Sequence, residues 1–186
     1  MTVKATNARF STLQGLYWSS FCVLCGYLVP LYRHYGYSEI TIGTLSMIAS
    51  LASVLVQPLW GIACDRSGRL RRIFLGNILT SIPIGFGLLL GSRSAVWTGV
   101  AVFLITSTFT SMGTVLDSWS MKLINQGHPI RYSFTRSFGS LAYAAMAILF
   151  GRMLDWAGMR IIPFAYALLA GMMVLIAVLT SAPARE

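Results

Sequence analysis

Charge is what this chain has least of. Of 186 residues, 10% are Asp, Glu, Lys or Arg and 56% are hydrophobic, against roughly a quarter charged in an ordinary soluble domain. So few charges cannot cover a water-facing surface, and a mean hydropathy of +0.71 makes lipid the solvent for most of the chain. Soluble enzymes, DNA-binding domains and disordered chains are thereby excluded, and the net charge of +9 is read against membrane topology, with no nucleic-acid partner. Cysteine is also scarce. Cys22, Cys25 and Cys64 make no even disulfide framework. The first two have zinc or redox spacing but lie in an apolar run without further ligands, so packing is their expected role and no metal or other cofactor is expected. H-E-x-x-H, a nucleophile elbow and a carboxylate dyad are all missing, so no enzyme activity is expected. His34 and His128 fall in loops and read as solvated groups rather than proton carriers.

Long apolar runs take the place of these missing features. Met1 to Arg9 is polar and basic and leads into a run longer than the ~7 to 15 residues of a signal-peptide core. Stretches of about 20 apolar residues predict six spans: Phe10 to Tyr32, Ile40 to Ala63, Ile73 to Gly91, Ala95 to Leu116, Tyr132 to Phe150, and Ile161 to Ser181. The predicted fold is an all-α membrane protein, a single six-transmembrane-helix bundle over residues 1–186. Short breaks make successive helices antiparallel neighbours. Ser38 before Glu39 is an N-cap with an acidic first turn, and Pro58 predicts a kink. Trp97 and Trp156 suit the interfacial aromatic belt, and Tyr17 and Trp18 either reach the interior or anchor the first span.

Positive charge sets the orientation, because Lys and Arg near helix ends stay on the cytoplasmic side. With the N-terminus inside, that side holds nine: Lys4, Arg9, Arg66, Arg69, Arg71, Arg72, Lys122, Arg131 and Arg185. Four, Arg33, Arg93, Arg152 and Arg160, face the other side, and Arg136 falls within the fifth span. A multi-pass protein of the cell inner (plasma) membrane with both termini cytoplasmic is expected.

The segment Gly61-Ile-Ala-Cys-Asp65-Arg-Ser-Gly68-Arg69 recurs as Gly151-Arg-Met-Leu-Asp155-Trp-Ala-Gly158-Met-Arg160, with Gly, Asp and Gly each displaced by 90 residues. One copy follows the second span and the other the fifth. Three intervening spans reverse the membrane sense, which predicts two inverted three-helix repeats, approximately 1–92 and 93–186. A chance match of three positions in a Gly-rich chain is the alternative.

The segment Gly61 to Arg72 reads G-I-A-C-D-R-S-G-R-L-R-R. Gly61 is expected to allow close helix approach, Asp65 to cap a helix or pair with an arginine, and Gly68 to permit a tight turn. Arg66, Arg69, Arg71 and Arg72 are expected to hold a loop to the cytoplasmic face. This segment resembles the signature between helices two and three of the major facilitator superfamily. Gln57-Pro58-Leu59-Trp60-Gly61 and Ile42-Gly43 are similar to the lactose/proton symporter and its relatives among oligosaccharide, nucleoside and phenylpropionate-type permeases. In outline the chain resembles the N-terminal six-helix half of that superfamily, with Gly61, Asp65, Arg66, Gly68, Arg69 and Arg72 as the gating loop.

A second constellation is buried charge. Asp117 ends the fourth span and Arg136 begins the fifth, and ionisable groups in a membrane are costly unless paired or facing a cavity. Ser107, Thr110, Ser111, Thr114, Asp117 and Ser118 follow helical spacing, as do Arg136, Ser140 and Tyr143. Two readings stand: a substrate site, or an ion pair fixing helix register. The segment Arg136-Ser-Phe138-Gly139-Ser-Leu-Ala-Tyr143 is similar to the symporter's fifth helix, where an Arg binds sugar hydroxyls and an aromatic seven residues on stacks against the ring. Here Asp117 stands near that family's essential Glu, and Tyr143 replaces the expected Trp.

The resemblance implies half of a secondary active transporter that moves a small polar organic solute by alternating access, coupled to protons. Asp117, Arg136, Tyr143, Ser140 and Thr114 would contact substrate. The lipid bilayer, a small-molecule substrate and the proton are the expected partners, together with a second six-helix bundle supplied by a homodimer or a missing C-terminal half. Met1 reads as a native start, and Ser181 to Glu186 falls where the central loop of a full transporter would begin. The alternatives are a truncated transporter fragment and a non-transporting membrane scaffold.

Overall fold

A computed structural model describes residues 3–67, 69–128 and 130–180, and the secondary structure of those residues is helical throughout. The first apolar run folds as α1 (Val3–Phe21), a π-helical turn at Cys22–Gly26, and α2 (Leu28–His34). Pro30 explains the break: it has no N–H to bond the carbonyl four residues back, at Gly26, so the helical ladder widens there. The second run forms α3 (Glu39–Ser67). As expected, Ser38 caps it, its Oγ accepting from the Thr41 amide at 3.3 Å. The helix continues through Pro58.

Four further helical stretches complete the chain. The third run is α4 (Leu70–Gly87) with a 3₁₀ turn at Leu88–Arg93, and the fourth is α5 (Ala95–Asn125), capped by Ser94. The fifth is α6 (Tyr132–Ala157), stopped by Gly158 at φ +71°, a conformation that favours glycine. After a 3₁₀ turn at Met159–Ile161 comes α7 (Ile162–Leu179), with proline in its first turn, where a missing N–H costs nothing.

Six segments are long and apolar enough to cross a membrane, the number the sequence predicts. Their ends differ from the predicted ones in two informative places. The fourth helix runs on to Asn125 instead of stopping near Leu116, which puts Asp117 about two turns inside it. The Gly61 to Arg72 stretch is helical as far as Ser67 and again from Leu70. Ser, Asp and Arg tolerate a terminal helical turn when charged groups reach headgroup depth, and the apolar count alone misses such turns.

Helix α1 packs along α6 and α5 along α3; α7 lies against α1 and α4, and α4 against α5. Phe10, Leu13, Phe74, Ile78, Phe109, Met112, Tyr166 and Met173 fill the centre. Lipid offers no hydrophobic drive for helix association, so packing falls to close approach and polar contacts. A Cβ on Gly139 would stand 2.4 Å from the Trp18 ring and 3.3 Å from the Gln14 carbonyl, so only glycine lets α1 and α6 meet there. Tyrosines tie helices to each other's backbones: the Tyr17 hydroxyl donates to Phe109 O at 3.1 Å and the Tyr27 hydroxyl to Ala147 O at 2.7 Å. At the bundle end where α1 begins, Arg71 donates to Ala177 O and Val178 O at 2.9 and 2.8 Å, and Arg9 to Leu179 O at 2.5 Å. Two cations thus cap the carboxyl end of α7, where the helix dipole is negative.

Candidate functional site

Helices α1, α5 and α6 bring the site together. Gln14 and Trp18 sit one turn apart on α1, and the Trp18 indole N–H donates to Gln14 Oε1 at 3.2 Å. The Gln14 amide in turn donates from Nε2 to Asp117 Oδ1 at 2.9 Å. On α6, the Arg136 guanidinium lies over the Trp18 ring, 4.3 Å from its centroid, a cation–π contact in a partly desolvated place. Tyr132 lies beside both Asp117 and Arg136. Tyr143 meets the Trp18 ring edge-on at 6.4 Å, with its hydroxyl in hydrogen-bonding reach of the Cys22 thiol.

Asp117 and Arg136 are therefore neighbours without being an ion pair. Among the described residues the ion pair that forms is Arg33–Glu39, at 3.2 Å and well exposed. Between the intramembrane acid and base stand a neutral amide and an indole. The sequence reading of a register-fixing ion pair has no direct contact behind it: Asp117 is engaged by Gln14 and Arg136 by the Trp18 ring. The Asp117 carboxylate accepts from Gln14 and has the Tyr132 hydroxyl in hydrogen-bonding reach, whereas the guanidinium makes no hydrogen bond to a described residue, so its N–H donors can serve a ligand. The arrangement suits a solute with hydroxyl or carbonyl acceptors for the arginine and a donor for the carboxylate.

The other expected residues divide. Thr114 is half-buried one turn before Asp117, with its hydroxyl bonded to Thr110 O at 3.1 Å. Ser107, Thr110 and Ser118 share that half-buried face, and Thr110 also reaches Ser53 Oγ on α3 at 3.2 Å. Ser111 does not belong there: it is fully buried and accepts from Asn77 Nδ2 at 3.0 Å, a packing contact with α4. Helical spacing placed it at the edge of the polar face, and the α4 amide drew it inward. Ser140 is exposed one turn beyond Arg136. Tyr17 is core, buried and bonded to the α5 backbone.

Sequence reasoning missed Gln14 and gave Trp18 an alternative role as an anchor. The available signal was an amide in an apolar run, four residues before an aromatic with a polar edge.

The expected gating loop is mostly helix. Gly61, Asp65 and Arg66 lie in the last turns of α3, Arg69 precedes α4, and Arg72 is exposed in the first turn of α4. The Asp65 side chain and the Gly68 turn lie outside the described residues. Gly61 mediates no close approach among the described residues, since a Cβ there would meet nothing within 4 Å. Arg71 is engaged in capping α7.

A cleft of about 530 Å³ between α3 and α5 is away from this chemistry and is lined by Leu45, Ile48, Val96, Val100 and Phe103 among others. Among the described residues no group of three His, Cys, Asp or Glu side chains gathers to hold a metal. A family model described as the MFS_1 like family matches residues 9–186. No curated protein matches the chain.

Proposed function

Because the chain belongs to the MFS_1 like family and forms a six-helix N-terminal half of the major facilitator fold, we propose that it is half of a secondary active transporter for a small polar organic solute. The observation that carries this reading is Asp117 and Arg136 linked through Gln14 and Trp18, on α5 and α6, with the Arg136 guanidinium making no hydrogen bond to a described residue. Keeping such groups in a membrane is costly unless they act on a substrate or ion. Arg136 binds the solute's acceptors, Asp117 its donor, and Trp18 and Tyr143 wall the site, with Thr114 and Ser140 at its margins. Proton coupling is part of the proposal, as the family resemblance implies.

Alternating access needs a second bundle, either a C-terminal half or a second copy of the chain. Helices α3 and α6 support this: their mean hydropathies of 1.7 and 1.3 are apolar enough to span a membrane, yet only 17% of each apolar stretch is buried. The turns from Gly61 to Arg72 then form part of the latch between halves. The packing supports the inverted repeats, since exchanging the first three spans for the last three turns the α1–α6 contact into α5–α3 and the α1–α7 contact into α5–α4. The nine-to-four distribution of basic residues supports cytoplasmic termini in an inner membrane.

The test is solute binding and uptake in nanodiscs and proteoliposomes across a panel of small polar solutes, with protein mass per disc measured in parallel. Loss of binding in Arg136→Ala and Asp117→Asn with the fold intact is the expected result. A scaffold that kept the fold would show no solute dependence and would hold its partner equally well with either substitution.

A further inference from the structure

Tyr143, on α6, is anchored from the first span. Pro30 lacks the N–H that would bond the Gly26 carbonyl, and the chain makes the π-helical turn Cys22–Gly26 just before it. Cys22 and Gly26 stand four residues apart and share a face of the turn, and α6 packs against that turn. At Gly26 the backbone is bare: a Cβ there would stand 3.3 Å from the Tyr143 hydroxyl and 3.8 Å from the Cys22 sulfur. The buried Cys22 thiol has the same hydroxyl in hydrogen-bonding reach. The phenol oxygen is thus parked between a thiol and a notch in the backbone, while the half-buried ring meets Trp18 edge-on at 6.4 Å. The seam between α1 and α6 uses the same device elsewhere. Gly15 seats Phe138, whose ring lies 3.2 Å from where a Cβ would be, and Gly151 seats the Tyr27 hydroxyl at 3.1 Å.

Which part of Tyr143 a solute meets follows from this seat. A hydroxyl turned into the site would select hydrogen-bonding groups; a hydroxyl held against the first span leaves the ring carbons to make the contact, and those favour a flat apolar surface. We propose that Gly26 is a positioning residue that sets solute specificity through Tyr143: by leaving room beside Cys22 for the phenol oxygen, it turns the ring of Tyr143, and not its hydroxyl, toward the solute. The favoured solute then has a polar head for Arg136 and Asp117 and a flat apolar body for Tyr143. The assignment rests on the reading of Asp117, Arg136 and Tyr143 as a solute site, and Gly26 itself touches no solute. A side chain at position 26 would push the oxygen by a few tenths of an ångström and tip the ring with it, and misplacement of a binding group weakens what it binds.

The test compares benzamide with acetamide, which share a carbonyl acceptor and an N–H donor and differ in the ring. Equilibrium binding is measured in nanodiscs, with thermal unfolding of the same samples without solute. Wild type should hold benzamide about tenfold more tightly than acetamide. Gly26→Ala should lower the unfolding temperature and weaken benzamide about fivefold, with a smaller effect on acetamide. In Gly26→Ala/Tyr143→Phe the oxygen that the new methyl strikes is gone, so the unfolding temperature and the preference for benzamide should both recover. Tyr143→Phe alone should keep that preference. Gly43→Ala, which puts a methyl in open space, is the control and should change neither reading. A double variant no better than Gly26→Ala, equal weakening of both amides in Gly26→Ala, or loss of the preference in Tyr143→Phe would overturn the proposal. If Gly26→Ala does not fold, Tyr143→Phe decides by that last reading. Failure of wild type to bind either amide, with the thermal recovery intact, would overturn the solute site and the specificity built on it while leaving the seat in place.

Discussion

The first and fourth spans differ from the second and fifth in burial more than in apolarity. Their mean hydropathies are 1.3 and 1.6 against 1.7 and 1.3, yet 56% of each apolar window is buried in the first pair and 17% in the second. In water such a difference would leave α3 and α6 insoluble; in a bilayer both sets are compatible with the solvent, and hydropathy stops ranking helices by depth. The sorting follows the polar groups instead. Gln14 and Asp117 lie on the well-packed pair, where an internal hydrogen bond satisfies them, while α3 turns out Leu51, Val54, Leu55 and Leu59 and α6 turns out Leu141, Ile148 and Leu149. A membrane bundle is thus organised by where its polar side chains find partners and where glycine lets backbones approach.

The largest effect that would break this contrast is at the charges. Arg136→Ala should weaken solute binding by at least about thirtyfold, the scale for truncating one member of a desolvated charged contact. Arg152→Ala, on an exposed face of the same helix, should leave it unchanged; equilibrium binding in nanodiscs distinguishes the two. Packing comes next. Gly139→Ala puts a methyl 2.4 Å from the Trp18 ring and should cost about 1–3 kcal/mol, seen as a lower unfolding temperature. Gly43→Ala on α3 meets nothing within 4 Å and should leave the transition in place; a matching drop there would mean that a partner covers α3 in the sample.

A third substitution, Gln14→Leu, removes the donor to Asp117 and the acceptor of the Trp18 indole. Each orphaned group costs about 1–3 kcal/mol, and the melting temperature should fall accordingly. Binding should weaken less than in Arg136→Ala, because the amide orients the site and the guanidinium binds. The smallest effect belongs to Arg33→Gln. Its ion pair with Glu39 is 64% and 74% exposed, so stability should change by less than about 1 kcal/mol, and less still in high salt.

Six spans, their approximate limits, the Ser38 cap and the two intramembrane charges were legible as pattern, because spanning length, capping chemistry and the cost of charge in lipid are local properties. The final turns of α3 and α5 were not, since charged residues end an apolar count before they end a helix. Ser111 and Ser118 have equal standing by spacing, and only the neighbouring Asn77 takes Ser111 out of the polar face. Gln14 and Trp18 were legible as a polar group and an aromatic ring four residues apart, but nothing in the first span reveals that Asp117 and Arg136 come to meet them.

What the amino-acid order determined by itself is that this chain crosses a membrane six times and carries an acid and a base where neither is cheap. Only the tertiary structure decided that the two are joined through an amide and an indole rather than to each other. Helix length and solvent preference are written in each segment separately, whereas the partners of two charges on separate helices are supplied by side chains of a third.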